Sequence, residues 1–249
     1  MPKKKSNNSN YLILFRHGQS RWNRTNQFTG WADIPLSEIG IQESLICAKK
    51  LEGLRIDTAF CSKLARAEQA LLTVISKQDS TGYIHHEKNH SNWYLNFKAE
   101  RQIPIYLSEK LNERYYGDLQ GMDKGKASKK YGKDQVFLWR RSYDARPPKG
   151  ESLEDAYKRV VPYFTKEIMP HVKKKKNVIV SAHGNSLRAI IKHIENISDD
   201  DIPRLEFLTG TFVIYKYSTS ALIKQGHIYS FQRQIHWSGN NQYKIQYQE

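Results

Sequence analysis

Residues Leu12–Gly18 read LILFRHG, a short apolar run that breaks off into an arginine, a histidine and a glycine. A continuous apolar run of this length, here Tyr11–Phe15, fits a strand buried on both faces, the kind found in parallel sheets covered by helices. The pattern recurs at Val178–Ala182 (VIVSA), which is followed by His183 and Gly184. Between the two, Ser37 and Glu38 open a helix in which Ile41, Leu45, Ala48 and Leu51 return at helical spacing. Thr58–Cys61 predicts a second strand, Leu64–Ser76 and Ser186–Ile197 predict helices, and Thr211–Tyr217 predicts a late strand. Strands alternating with helices predict an α/β fold, a single domain with a mostly parallel central sheet and helices on both faces.

The chain of 249 residues suffices for one such domain with a sizeable core. We expect a flexible basic tail over residues 1–10 and a catalytic domain over 11–225. An exposed insertion is expected at about 80–103, where the sequence is polar, aromatic and weakly periodic. Residues 226–249, rich in Gln, Asn and aromatics, form a tail whose order the sequence leaves open. No apolar run approaches the ~20 residues of a membrane helix, and residues 1–10 lack the apolar stretch of a secretory signal. Cys47 and Cys61 supply no disulfide framework and no metal-ligand spacing, so a reducing cytoplasm is the expected compartment. Forty Lys and Arg against 25 Asp and Glu give a net charge of +15, a field that attracts anions without choosing among them. The densest runs, Lys3–Lys5 and Lys173–Lys176, read as solvated ends of elements.

His17 and His183 share one context: each follows a buried strand and precedes a glycine. Ligands of open α/β sheets collect at the carboxyl ends of strands, so both imidazoles are expected at one crevice. Gly18 and Gly184 would let the backbone approach a ligand closely. Arg16 adjoins His17, and Arg66 lies in CSKLARA just after the second strand. Phosphoryl transfer needs an in-line nucleophile with positive groups around the equatorial oxygens, and guanidinium gives bidentate, charge-assisted bonds to phosphate. Taken singly, each arginine in so basic a chain reads as surface charge.

Phe15–Trp31 (FRHGQSRWNRTNQFTGW) resembles the signature of the histidine phosphatase superfamily. Further matches follow in order: LNERYYGDLQG (Leu111–Gly121), WRRSYD (Trp139–Asp144), GESL (Gly150–Leu153) and AHGNSLRA (Ala182–Ala189). The Arg-His-Gly triplet alone is specific only to the superfamily. FTGW, LNERYYGDLQG and WRRSYD together are similar to the cofactor-dependent phosphoglycerate mutases. The resemblance spans roughly Leu12 to Tyr217.

That resemblance implies that His17 carries a phosphoryl group on Nε2, primed by 2,3-bisphosphoglycerate, while 3-phosphoglycerate and 2-phosphoglycerate interconvert without a metal. It implies that Arg16, Arg66 and His183 hold the transferring phosphate, with Asn23 adding a hydrogen bond, and that Glu113 is the general acid and base. Ser20, Thr29, Gly30, Tyr116, Lys124, Arg140, Arg141, Gly184 and Asn185 would hold the rest of the substrate. Arg140, Arg141 and Lys124 also make independent sense, since a phosphoglycerate is charged at both ends. Bisphosphoglycerate phosphatase or synthase activity would be a minor companion. Small anionic phosphoglycerates are the expected partners, with no nucleic acid and no membrane. The oligomeric state stays open among monomer, homodimer and homotetramer.

Several positions depart from the family pattern. Gln19 stands where Glu is usual, Ala70 where Thr is usual, and Thr211-Phe212 where Val-Pro is favoured. Only Lys149 and Gly150 separate Pro148 from Glu151, as in short-form mutases. Three rival readings fit the sequence less well. A phosphohydrolase of the same superfamily would share the histidines and arginines, but LNERYYGDLQG and WRRSYD argue against it. Nucleic-acid binding through the aromatic, basic tail finds no motif. A metal cluster of His85, His86 and His90 lacks a helical pattern or a nearby cysteine.

Overall fold

A computed structural model of the chain describes residues 10–85, 101–218 and 220–225, together with the backbone of 234–238 and 242–246. Its centre is a seven-stranded sheet in the order β3-β4-β2-β5-β1-β6-β7. The strands are β1 (Tyr11–Arg16), β2 (Thr58–Cys61), β3 (Thr81–Ile84), β4 (Gln102–Leu107), β5 (Val178–Ala182), β6 (Thr211–Ser218) and β7 (Ala221–Lys224). The first five run parallel to one another, whereas β6 pairs antiparallel with β1, and β7 with β6. Two further strands, β8 (Gln234–Ser238) and β9 (Gln242–Gln246), pair antiparallel with each other.

The apolar runs form strands because both of their faces are covered. Leu12 and Leu14 point into one core with Val178, Val180, Val160, Phe164, Leu187 and Ile190. Ile13 and Phe15 point into the other with Ile179, Ala48, Ala67, Leu71 and Val74. This is the period of two that a pleated strand imposes. Helices α6 (Leu153–Tyr163) and α8 (Gly184–Glu195) cover the first face, and α2 (Glu38–Lys50) and α3 (Ala65–Ile75) cover the second. Burying each such aliphatic side chain stabilises the fold by roughly 1.5–3 kcal/mol. The predicted α/β architecture, mostly parallel with helices on both faces, is the observed one.

Ser37 caps α2 by accepting from the Gly40 N–H at 3.1 Å, as its sequence suggests. The buried stripe of α2, however, is Gly40, Glu43, Ser44, Cys47 and Ala48, and Ile41 is 44% exposed. The reason is steric: a Cβ on Gly18 would lie 2.1 Å from the Gly40 carbonyl oxygen, so this helix packs directly on the backbone that follows β1. Gly18 is thus required by helix packing rather than by a ligand. Helix α8 begins at Gly184, two residues before the predicted Ser186, because His183 takes the N-cap position with its N–H donating to the Ser186 hydroxyl at 3.1 Å.

The expected insertion is shorter than 80–103. Its first residues form edge strand β3, and Ile103 on β4 is fully buried. Residues 86–100 lie outside the described residues, as do 1–9 and most of 226–249. A third, smaller cluster of Phe28, Leu119, Ala127, Val136 and Trp139 joins the loop after the short helix α1 (Arg21–Arg24) to α4 (Lys124–Tyr131) and α5 (Lys133–Arg141). A last short helix, α7 (Met169–Lys173), precedes the lysine run before β5.

Candidate active site

Four adjacent parallel strands deliver the site. His17 follows β1, Ser62 follows β2, Asn112 and Glu113 follow β4, and His183 follows β5, so all leave the same edge of the sheet. The His17 and His183 rings meet edge to face with centroids 4.8 Å apart and an interplanar angle of 64°. Both are buried. The His17 backbone is held on two sides, its N–H donating to Ala182 and its carbonyl accepting from Gly210.

The His17 Nδ1 lies 2.6 Å from the Gly18 carbonyl oxygen. A carbonyl only accepts, so the proton sits on Nδ1 and the lone pair on Nε2. Burial, with Arg66 and Arg16 close by, holds the His17 imidazole well below its ordinary range, and the same influences act on His183. Both rings are therefore neutral near pH 7, as a nucleophilic nitrogen requires.

Arg16 is turned inward, with its Nη1 donating to the Phe207 carbonyl and its buried Nε left without a partner. A Cβ on Gly184 would lie 3.1 Å from the Arg16 guanidinium carbon, so this glycine makes room for the arginine. Arg66 is 1% exposed, and its Nη1 and Nη2 donate to the carbonyls of Ala32 and Gly30 at 2.9 and 2.8 Å. Burial outweighs Glu113 and Asp33 and lowers its pKa to about 10. Each terminal nitrogen keeps a second hydrogen, so Arg66 shapes the Thr29–Gly30 loop while retaining donors for an anion. It is not the surface charge that it suggests when taken alone.

Glu113 is anchored by two backbone donors on Oε1, from Arg114 at 2.8 Å and from Asn185 at 3.1 Å. Asn185, Gly184 and Arg16 line a cleft of about 190 Å³ together with Asn23, Thr29, Gly30, Tyr116, Lys124, Arg140 and Arg141. His17, His183, Arg66, Glu113 and Ser20 are absent from that lining, buried beneath or beside it. Ser20 and Asn23 hold each other in a capping box, the serine Oγ accepting from the Asn23 N–H and the Asn23 Oδ1 accepting from the Ser20 N–H. The Asn23 amide NH₂ is not part of that box.

Electrostatics make this cleft an anion site. Arg16, Lys124, Arg140, Arg141 and Arg188 line it, against the single carboxylate of Glu206. Burial and the neighbouring Arg140 lower the Lys124 pKa. Burial would raise the Tyr116 hydroxyl, but the adjacent Arg114 outweighs it and lowers that pKa. Buried nitrogens of Arg16, Arg114 and Arg188, His183 Nδ1 and the Thr29 hydroxyl lack hydrogen-bond partners. The guanidinium N–H groups and the hydroxyl among them are unpaired donors, and around a basic cleft they fit a multiply charged phosphate ester such as 2,3-bisphosphoglycerate.

Several contributors were not singled out from sequence. Arg188 bonds Asn185 at 2.9 Å and the Ile202 carbonyl at 2.7 Å, and Arg141 pairs with Glu206 at 2.8 Å. Arg159 donates to the carbonyls of Glu109, Lys110, Asn112 and Glu113 while forming a two-pronged pair with Glu151. Asn112, Glu151 and Arg188 lie inside the quoted motifs, whereas nothing marks Arg159 or Glu206. Of the three-histidine cluster, His86 and His90 lie outside the described residues, and the His85 ring packs on Tyr106 at 4.7 Å.

Comparison with known proteins places this geometry. The family model of the histidine phosphatase superfamily (branch 1) matches residues 12–88 and 95–224, and the chain belongs to that superfamily. Within it, the chain is 49% identical over 220 residues to the 2,3-bisphosphoglycerate-dependent phosphoglycerate mutase 1 of Gloeobacter violaceus, covering 85% of this chain and 95% of that one. It is 46% identical to the 2,3-bisphosphoglycerate-dependent phosphoglycerate mutase of Methanosarcina acetivorans, covering 86% and 94%. The fold matches the solved structures of Mycobacterial hydrolase 1 (18% identical, TM-score 0.69, covering 87% of this chain and 96% of that one) and Bacillus stearothermophilus YhfR (20%, 0.68, covering 88% and 95%).

Proposed function

We propose that this chain interconverts 3-phosphoglycerate and 2-phosphoglycerate through a phosphohistidine on His17. The observation that carries the reading is the basic cleft over paired neutral histidines, in a chain 43–49% identical to relatives named for this mutase activity. The bare Nε2 of His17 accepts and returns the phosphoryl group. Arg16, Arg66 and His183 bear on its equatorial oxygens, and Asn23 adds a hydrogen bond. Glu113 takes the proton from the attacking hydroxyl and returns it to the leaving oxygen, a role its backbone anchors suit by fixing the carboxylate beside Asn185. Arg140, Arg141 and Lys124 hold the far end of the substrate, with Ser20, Thr29, Gly30, Tyr116, Gly184 and Asn185 shaping the walls. 2,3-Bisphosphoglycerate supplies the phosphoryl group that primes His17.

The same reading gives the protein small anionic phosphoglycerates as partners and a cytoplasmic place. No helix among the described residues is long and apolar enough to cross a membrane. Residues 11–225 form the catalytic unit of this proposal. The test is a coupled assay with 3-phosphoglycerate, with and without 2,3-bisphosphoglycerate and a chelator, on wild type and His17→Ala. Bisphosphoglycerate-dependent, chelator-resistant formation of 2-phosphoglycerate, lost in the variant, is expected. Stoichiometric release of free phosphate in its place would make the protein a phosphatase.

A further inference from the structure

Behind His183 runs a short chain of hydrogen bonds that the motifs do not announce. The Asn112 Oδ1 accepts from the Lys63 backbone N–H at 3.2 Å and lies 2.8 Å from the Ser62 Oγ. The Ser62 Oγ in turn accepts from the Leu64 N–H at 3.1 Å and lies 2.8 Å from the His183 Nε2. Ser62 is fully buried and Asn112 is 4% exposed, so water does not compete for these bonds.

Donor counting sets the direction of every bond. The Lys63 N–H can only donate, so the Asn112 atom facing it is the amide oxygen. That oxygen can only accept, so the one Ser62 hydrogen points at it. Having no other hydrogen, Ser62 must accept from His183, which fixes the proton of the neutral ring on Nε2. The lone pair is left on Nδ1, the buried nitrogen without a partner, in a ring 4.8 Å from that of His17. The two histidines thus carry opposite tautomers, His17 protonated on Nδ1 and His183 on Nε2.

We propose that Asn112, acting through Ser62, is a positioning residue that fixes the tautomer and ring orientation of His183. The inference rests on the reading of His183 as a phosphate-holding group. With Nε2 tethered, His183 meets the transferring phosphate through Nδ1, whose lone pair takes one proton from solvent as the doubly charged anion enters and donates it in a hydrogen bond to a phosphate oxygen. No phosphoryl group passes to this ring, and the proton on Nδ1 returns to solvent when the anion leaves. Without the amide oxygen, Ser62 is free to turn its hydrogen toward His183, and the ring would mix tautomers.

The test is ¹⁵N NMR of the histidine side chains in the ligand-free protein, with the His183 resonances identified by their loss in His183→Asn. A pyridine-type Nδ1 and a pyrrole-type Nε2 are expected for wild type and for Asn112→Asp, which keeps an acceptor for Ser62. Asn112→Leu should show a mixture, with kcat for the phosphoglycerate reaction down about tenfold or more and KM within twofold. A wild-type His183 protonated on Nδ1 overturns the proposal even if neither Asn112 variant folds. An Asn112→Leu protein with the pure wild-type tautomer and full kcat overturns it as well. The tautomer readout needs no substrate, so failure of the mutase assay and failure of this inference are separate results.

Discussion

Arg16 and Gly184 come from different strand ends, and the place where a side chain of residue 184 would begin lies 3.1 Å from the Arg16 guanidinium carbon. The glycine after the second histidine is therefore a seat for the arginine before the first. The two strand-end motifs are one device, with the Arg16 guanidinium packed against the backbone of the other motif. Several consequences can be measured.

The buried histidines make stability depend on pH. His17 and His183 both titrate well below the ordinary imidazole range, because of burial first and then the flanking arginines. Below about pH 6.5 the unfolded chain binds protons that the native rings refuse, so stability falls as pH drops, by up to about 1.4 kcal/mol per pH unit for each ring. Urea unfolding between pH 5 and 7 should show this slope, and His183→Gln should flatten it. Equal slopes in both proteins would refute the assignment.

On the proposed function, Arg66→Ala removes a phosphate donor; it also frees the carbonyls of Gly30 and Ala32. The turnover rate should fall roughly a hundredfold or more, the usual effect of deleting one preorganised donor. Steady-state kinetics decide the matter, and near-normal kcat would remove Arg66 from the phosphate shell.

Glu206 occupies Arg141 in the free cleft, and the hydrogen bond from Arg141 lowers the Glu206 pKa. The anionic substrate must compete with it. Glu206→Gln should lower KM for phosphoglycerate about two- to fivefold at low ionic strength, the range of an exposed ion pair. The gain should shrink in added salt. A raised KM would instead make Glu206 a substrate-binding group.

Arg159 ties together the loop that ends in Asn112 and Glu113. Arg159→Met should lower stability by about 2 kcal/mol, since it leaves Glu151 half-buried and several carbonyls unserved. The urea midpoint of unfolding reports the loss.

How much of this is legible in sequence varies with the residue. Strands β1 and β5 are plain because burial on both faces leaves an uninterrupted apolar run. Strand β3 is not, because an edge strand reading TGYI buries little and carries no contrast. The inward face of α2 is misjudged from Ile41 because close backbone contact selects Gly40 and Ser44 there, not large apolar residues. His17 and His183 stand out by shared context. Arg159 and Arg188 do not, since a chain with 40 Lys and Arg gives no single cation a distinguishing mark, and only tertiary contact reveals which are buried.

Strand β1, which leads into His17, lies between β5 and β6, the two strands made more than 160 residues after it. During synthesis it therefore waits without its neighbours while more than 160 further residues are added. At about 5–20 residues per second that delay lasts on the order of ten seconds or more. His17 is thus made long before the strands that hold its backbone and set His183 beside it. Nascent chains stopped before β5 hold every atom of His17 but neither the strand nor the imidazole that packs against it.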